Sequence, residues 1–470
     1  MKSRMRLLVE SSGGDPKPVE LSWPDYLKCL LQIAAEIEHA LMVEYLYAAY
    51  SLGGEQVPAR HRPTVERWRS SILTIAREEM GHLLTIQNLR CLLGAPISFE
   101  REDYPWDTPF YPFPFRLEPL SLTSLSCYVY AEMPANLDAA RHDGHLARRY
   151  REFRRRDKAR ICAAVRKVVH GGEAHSVGAI YDQILEIVAN SARIPDSCFN
   201  PATLNRQASW DDWGRGYRPD PRFLDAEGSL LKAASSRGPR VIVAQMVTRT
   251  EVIAALKDVA GQGEAPHLST HNEEPSHFDR FLEIYQDFER VKGWSPVRHV
   301  PVNPTAGAAR DDHSVIEAQP ARTWANLFNV RYRMLLTYLA HAYRLPPANG
   351  SGEPNLRGTV IHRAFGEMYN LKTIAGMLVA MPLASARSTK RAGPPFEMPY
   401  SLAAPEAAAD WWELHRELLD TSDNLRRKLL ARASADGTRY LKTLGDIDQQ
   451  AAAWVDQVLA GLSPGKRHSA

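Results

Sequence analysis

The chain has 470 residues, 44% of them hydrophobic, enough for one large domain or two to three ordinary ones around a sizeable core. A formal net charge of +3 is too close to balance to imply a nucleic-acid partner. The five scattered cysteines form no CxxC pair, which argues against a disulfide framework or a zinc–thiolate site and fits a reducing cytoplasm. The apolar stretch after Met1-Lys2-Ser3-Arg4 is too short for a signal peptide, and the lack of a run of about 18 apolar residues predicts no membrane span.

Helical periodicity predicts a first helix over 25–50, stopped by Gly53-Gly54, and a second over 64–93, stopped by Gly94 and Pro96. Residues 95–125 are rich in proline and aromatics, notably 104–115. Helix is excluded there, and a packed crossover or lid that lines or covers a pocket is expected. Residues 121–132 read as a short strand or a helix start. The basic segment 148–160 reads as a solvated helix face, or more sharply as a docking surface for an acidic partner or substrate. Helical patterns return at 158–193, 239–262 and 275–292. Residues 293–320 read as a linker, and further helices are expected at 323–343, 357–380, 405–433 and 443–461, before a disordered tail from 463 to 470. The fold class is all-α, with few and short strands. The expected organisation is a bundle over 1–292, the linker, and a C-terminal helical region over 321–462 packed on the bundle.

The chemistry sits on two of these helices. Leu31, Ala34, Glu38, Leu41, Tyr45 and Ala48 recur at spacings of 3 and 4, the core-facing seam of a bundle helix with Glu38 at its middle. On the second helix, Trp68, Ile72, Ile75, Glu79, His82, Ile86, Leu89 and Leu93 form another seam. A buried carboxylate is costly unless it is paired or bound to a metal. Glu79 and His82, three apart, project from one face about a turn apart, so a carboxylate oxygen and an imidazole nitrogen can reach one centre. Oxygen ligands with one imidazole suit Fe or Mn. A Glu on one helix and Glu-x-x-His on the next is half of a di-iron or di-manganese carboxylate pattern. The bland alternative is a structural Glu38–His82 ion pair. Glu78 lies on the stripe of Ser71, Thr74, Gly81 and Thr85, a wetter or closely packed face.

For the second half of the site, His277 heads the seam of Phe281, Ile284 and Phe288, with Glu274 or Glu264 as its carboxylate. Pro275 suits a first helical turn and would leave Glu274 at the helix entrance. The seam of Val177, Tyr181, Ile184 and Val188 carries no glutamate, and Asp182 and Glu186 lie off it. His175 could replace the absent carboxylate. His267 and His271 read as loop histidines, His39 as an interhelical hydrogen-bonder, and Glu367 as a buried partner of an arginine.

Ile37-Glu38-His39-Ala40, Glu79-Met80-Gly81-His82, Gln262-Gly263-Glu264 and Ser276-His277-Phe278-Asp279-Arg280-Phe281 resemble the ferritin-like domain of iminophenyl-pyruvate dimer synthases, the violacein/rebeccamycin-type coupling enzymes. Phe328-Asn329-Val330-Arg331-Tyr332 and Ala392-Gly393-Pro394-Pro395-Phe396-Glu397 are similar to that family too. The resemblance implies a ferritin-like helical bundle with a metal centre, Glu38, Glu79, His82, Glu264 and His277 being the ligands. It implies oxidative chemistry, since the named members couple two imine-bearing acids derived from aromatic amino acids. Gly178-Ala179-Ile180-Tyr181 departs from the family's Gly-Glu-Phe-Tyr and so lacks a carboxylate, and Glu44 stands where some members carry proline, as an extra first-helix carboxylate. The expected function is a metal-dependent oxidase or oxygenase of natural-product biosynthesis, with one or two Fe ions, or Mn, acting with O2 on an amino-acid-derived small molecule. A homodimer is allowed for, and no nucleic acid or membrane is expected as a partner. The alternative is a non-catalytic ferritin-like binding or scaffold protein with a degenerate metal site.

Overall fold

The structure, a computed structural model, describes residues 17–108, 110–134, 150–169, 174, 176–209, 241–263, 275–308, 310–347, 355–398 and 404–462. The chain divides into two compact units, one of residues 1–101 with 105–297 and one of 102–104 with 298–470.

The first unit opens with α1 (Trp23–Ser51). Ser22 caps its N-terminus by accepting a hydrogen bond from the Asp25 amide, and Pro24 occupies the first turn, where its missing N–H costs nothing. Its partner α2 (Arg62–Leu92) ends where Gly94 takes φ +68° and the Ala95 amide reaches back to the Arg90 carbonyl at 2.8 Å. The two predicted seams are buried along their whole length and face into the unit.

Then follow α3 (Leu122–Ala131), α4 (Lys158–Val168), α5 (Gly178–Ala189), α6 (Arg249–Gly263) and α7 (His277–Phe288). α1 packs on α2 and α5, α3 on α7 and α4, and α5 on α6. The ambiguous segment 121–132 is thus a helix, started by a capping box between Ser121 and Ser124. α3 meets α7 through an aromatic trio, Tyr45, Tyr128 and Phe281, with ring centroids 4.8–5.3 Å apart. The pattern at 158–193 is two helices rather than one. That at 239–262 becomes helical only from Arg249, because the backbone of 242–246 is engaged elsewhere.

That engagement fixes α2. Thr85 Oγ1 donates to the Ile242 carbonyl (3.0 Å) and accepts from the Ala244 amide (3.1 Å). Asn88 Nδ2 donates to the Ala208 and Ala244 carbonyls, each at 2.8 Å. At Gly81 a Cβ would lie 2.6 Å from the Ile242 oxygen and 2.9 Å from its nitrogen. The stripe through Gly81 and Thr85 is therefore the close-packed face, not a wet one, and Glu78 on it is fully buried.

The Pro- and aromatic-rich crossover pairs Trp106 with Phe115 by reciprocal backbone hydrogen bonds of 3.0 and 2.8 Å and buries Tyr111, Phe113 and Phe115. It is anchored on α1, where the Arg116 amide donates to Glu44 Oε1 at 2.5 Å and the Leu120 amide to Ser51 Oγ at 3.0 Å.

In the second unit, β1 (Pro304–Thr305) and β2 (Ser314–Val315) form a two-stranded parallel pair, followed by α8 (Ala321–Ala342), α9 (Leu356–Leu378), α10 (Ala408–Leu430) and α11 (Ala435–Gly461). β1 and β2 lie in the segment that reads from sequence as a linker. Arg331 on α8 is buried among the four helices. It donates to Glu367 of α9 at 2.6 and 2.7 Å, to Asp448 of α11 at 2.8 Å, and to Ser422 of α10 at 3.1 Å. The arginine partner expected for Glu367 is thus Arg331. No helix among the described residues is long and apolar enough to cross a membrane.

The glycines give a paired test of this packing. Gly81→Ala gains about 1 kcal/mol of helix propensity but inserts a methyl against backbone, and overpacking costs about 1–3 kcal/mol. A contact of 2.6 Å with a carbonyl places it at the upper end, so a net loss of stability is expected in denaturant unfolding. Gly376→Ala on α9, where a Cβ meets nothing within 4 Å, is expected to raise stability by about 0.5–1 kcal/mol.

Candidate metal centre

Four helices bring acids and imidazoles to one buried place. Glu38 comes from α1, and Glu79 and His82 from successive seam positions of α2. Glu132 is the C-cap of α3. His277 is the first residue of α7, set by a capping box in which Ser276 Oγ accepts from the Asp279 amide and Asp279 Oδ2 accepts from the Ser276 amide. All five are at most 3% exposed, so none is held by solvent.

The five form two overlapping groups, Glu38–Glu79–His82 and Glu79–Glu132–His277, in each of which the donor atoms lie within 4.8 Å of one another. Glu79 belongs to both. Its Oε2 lies 2.8 Å from His82 Nδ1 and its Oε1 lies 2.9 Å from His277 Nδ1. Glu38 Oε2 stands 3.5 Å from His82 Nδ1, and Glu132 Oε2 stands 3.8 Å from His277 Nδ1. The two imidazoles stack with centroids 5.4 Å apart.

Each of these side chains has a second polar partner that fixes its orientation. Tyr181 of α5 donates its hydroxyl to Glu38 Oε1 at 2.5 Å, and Tyr45 of α1 donates to Glu132 Oε1 at 2.6 Å. His82 Nε2 donates to Gln262 Oε1 of α6 at 2.9 Å, and His277 Nε2 donates to Glu78 Oε2 at 3.1 Å. A carbonyl or carboxylate oxygen can only accept, so both imidazoles carry a proton on Nε2, and a metal would take the Nδ1 lone pair once the Nδ1 proton shared with Glu79 is lost. Glu78 is held in turn by Arg280, at 2.6 and 3.2 Å.

The electrostatics reflect crowding of like charges in a dry site. Burial, reinforced by the charge of Glu79, pushes Glu38 up to about 7 and Glu132 up to about 8. Burial would also raise Glu79, but His277 and His82 outweigh it and hold this carboxyl below the ordinary range. Burial opposes charge on the histidines, yet Glu79 and the other nearby acids lift His82 well above its usual value and His277 to about 9. Burial first, and the adjacent carboxylates second, raise Tyr181, and likewise Tyr45, so both hydroxyls remain donors.

A metal fits this donor set. Glu79 Oε1 and His277 Nδ1 are buried and form an ion pair at 2.9 Å, with no hydrogen bond to any other described group. A cation could take the place of the proton between these two atoms, and carboxylate oxygens with imidazole nitrogens suit Fe or Mn. Beside them is a cavity of ≈ 300 Å³, counting its opening to solvent, lined by Glu38, Glu79, His82 and Glu132 and by apolar side chains such as Leu41 and Val259. A Cβ at Gly263 would sit 3.1 Å from Glu132 Oε2, so the end of α6 approaches the centre closely.

Of the residues singled out from sequence, Glu38, Glu79, His82 and His277 are brought together. Glu264, Glu274 and His175 lie outside the described residues, as do His267 and His271. Glu44 is not with the cluster. It follows Glu38 by six residues, about 240° round the helix, and holds the Arg116 amide of the crossover instead. Asp182 is exposed on α5 and does not face the cluster. Ala179 is exposed as well, so a carboxylate there would not point inward, and the buried carboxylate comes from Glu132 instead. The segment 104–115 contributes nothing to the described cavity lining. His39 is buried against the Phe99 backbone, and burial with the Arg101 charge holds it well below its usual pKa, so it is a neutral hydrogen-bonder. Sequence reasoning missed Glu132, Glu78, Tyr181 and Gln262 as parts of the cluster. The spacing of Leu125, Tyr128 and Glu132 was the signal for the first.

Among known proteins, the chain is 26% identical over 403 residues to dichlorochromopyrrolate synthase of Lentzea aerocolonigenes, covering 78% of this chain and 35% of that protein. It is 23% identical over 424 residues to 2-imino-3-(indol-3-yl)propanoate dimerase of Chromobacterium violaceum, covering 81% of this chain and 35% of the relative. The chain thus spans about a third of the length of these curated relatives. No solved structure gives a significant match. A family model described as ferritin-like matches residues 31–286, more than half of the 470-residue chain, and with the helical bundle it places the chain in the ferritin-like family.

Proposed function

We propose that this chain is a metal-dependent oxidoreductase whose Glu38, Glu79, His82, Glu132 and His277 would hold Fe or Mn, with Glu79 common to both ligand groups, and that it acts with O2 on an amino-acid-derived imino acid. The observation that carries this reading is the shared carboxylate: two His–carboxylate groups meet at Glu79 in a buried site beside a cavity. Relatives named as a synthase and as a dimerase of an indolyl imino acid support the substrate class.

Glu38 with His82, and Glu132 with His277, would be the terminal ligands. When bound, the ions supply one-electron steps between O2 and an organic substrate. The protein's own part is positional. Tyr45 and Tyr181 hold one oxygen of each terminal carboxylate and leave the other toward the centre. Gln262 and Glu78 fix the imidazole tautomers. Leu41 and Val259 keep apolar surface against the cavity, which limits water beside the acids.

A second reading, a non-catalytic ferritin-like binding or scaffold protein with a degenerate metal site, is favoured by one observation: the two histidines by themselves balance the Glu79 charge.

Anaerobic reconstitution of the purified chain with Fe(II) or Mn(II), followed by elemental analysis, is expected to give two ions per chain. Glu79→Gln should weaken both positions by more than the about 10–100-fold typical of an outer partner, while retaining the helical circular dichroism spectrum. No bound metal in the parent protein would sink the first reading, and unchanged activity in Glu79→Gln would favour the second.

The pH dependence has a definite sign. Glu38, Glu132 and His277, raised to about 7, 8 and 9, hold protons that a metal must displace. Affinity should therefore rise with pH from about 6 to 9, and loading at pH 7 should release protons, measurable by calorimetry in buffers of different ionisation enthalpy. Pulling in the opposite direction, a fall in affinity over that window, would contradict the assignment.

A further inference from the structure

Among the described residues, the two halves of the centre are matched in almost every respect. Each has one terminal glutamate whose outer oxygen accepts from a buried tyrosine, at 2.5 Å for Tyr181 on Glu38 and 2.6 Å for Tyr45 on Glu132. Each has one imidazole with Nδ1 toward Glu79, at 2.8 Å for His82 and 2.9 Å for His277. They differ in what stands behind the imidazole. His82 Nε2 meets the neutral amide oxygen of Gln262 at 2.9 Å, whereas His277 Nε2 meets the carboxylate of Glu78 at 3.1 Å.

Glu78 is built to remain an anion in that place. It is fully buried on the close-packed face of α2, and Arg280 of α7 grips both its oxygens, at 2.6 and 3.2 Å. A bidentate guanidinium orders the carboxylate and keeps it ionised. It offsets part of the charge, but the atom in contact with the imidazole is the anionic oxygen. An imidazole that donates its far N–H to a carboxylate is a stronger base at its other nitrogen than one that donates to an amide.

Resting on the metal reading above, we infer that the two positions bind metal unequally, the one formed by Glu132 and His277 filling first and more tightly, with Glu78 and Gln262 as the positioning residues that set the order. The centre then passes through a singly loaded form in which the ion sits on the α3–α7 side and the Glu38–His82 half is still open. Gln262 marks that half as the exchangeable one.

The test is a titration of the chelator-stripped full chain with Co(II), followed by calorimetry and by the visible absorption of bound cobalt. Two steps are expected, separated by about 10–100-fold in affinity. Glu38→Gln should retain the tight step and Glu132→Gln only the weak one. Glu78→Gln should weaken the tight step by about 10–100-fold and leave the weak step in place. It leaves Arg280 without its acid, so its folding is checked by circular dichroism. If it does not fold, Gln262→Glu carries the same test from the other side, by strengthening the weak step toward the tight one. Two ions bound in a single step of equal affinity, or a tight step that survives Glu132→Gln, would overturn the inference while leaving the metal reading standing. A parent chain that binds no cobalt, iron or manganese removes the metal reading itself and this inference with it.

Discussion

Everything in the first unit is arranged around one carboxylate placed between two imidazoles in a dry interior. A lone buried glutamate is prohibitively costly, and Glu79 is tolerable because His82 and His277 approach it from opposite oxygens. That requirement fixes the relation of α2 to α7, and the terminal acids fix α1 and α3 in turn. The bundle is thus specified as much by where its charges must meet as by its apolar seams.

The second unit handles buried charge differently. Arg331 is fully paired with Glu367 and Asp448, and Ser422 takes up remaining hydrogen-bonding capacity. Such a network ties four helices together and is complete as it stands. The cluster around Glu79 is of similar size and burial, but it borders a cavity lined by Glu38, Glu79, His82 and Glu132. One set of charges is closed on itself and the other faces a cavity, and this difference, rather than burial or charge alone, separates a structural ion pair from a candidate site.

Much of this was legible in the sequence because helical period and polarity coincide. Glu38, Glu79 and His82 interrupt apolar seams at positions that can only face inward, and Gly94 marks the end of α2. What was not legible depended on chain path. Glu132 ends a ten-residue helix whose sequence also suits a strand, so its seam is too short to declare a direction. Ala179 reads as a lost ligand only if α5 is a ligand-bearing helix. In the structure α5 supplies Tyr181, a second partner to Glu38. Glu78 shares a stripe with small and polar residues, and nothing local distinguishes a wet face from one pressed against backbone. Glu44 sits on the same helix as Glu38, and only the crossover that it holds explains its burial.

The contact at Gly81 has a consequence for transferring this chemistry. Three positions on one face of α2, Gly81, Thr85 and Asn88, pack on or hydrogen-bond the backbone of residues 242, 244 and 208. The helix is thereby keyed against rotation, and the direction in which Glu79 and His82 point is set from behind, by residues that never meet the cluster. Grafting Glu-x-x-His onto another bundle would carry the donor atoms without their aim. A working transplant needs the glycine notch and the strip of backbone that it fits.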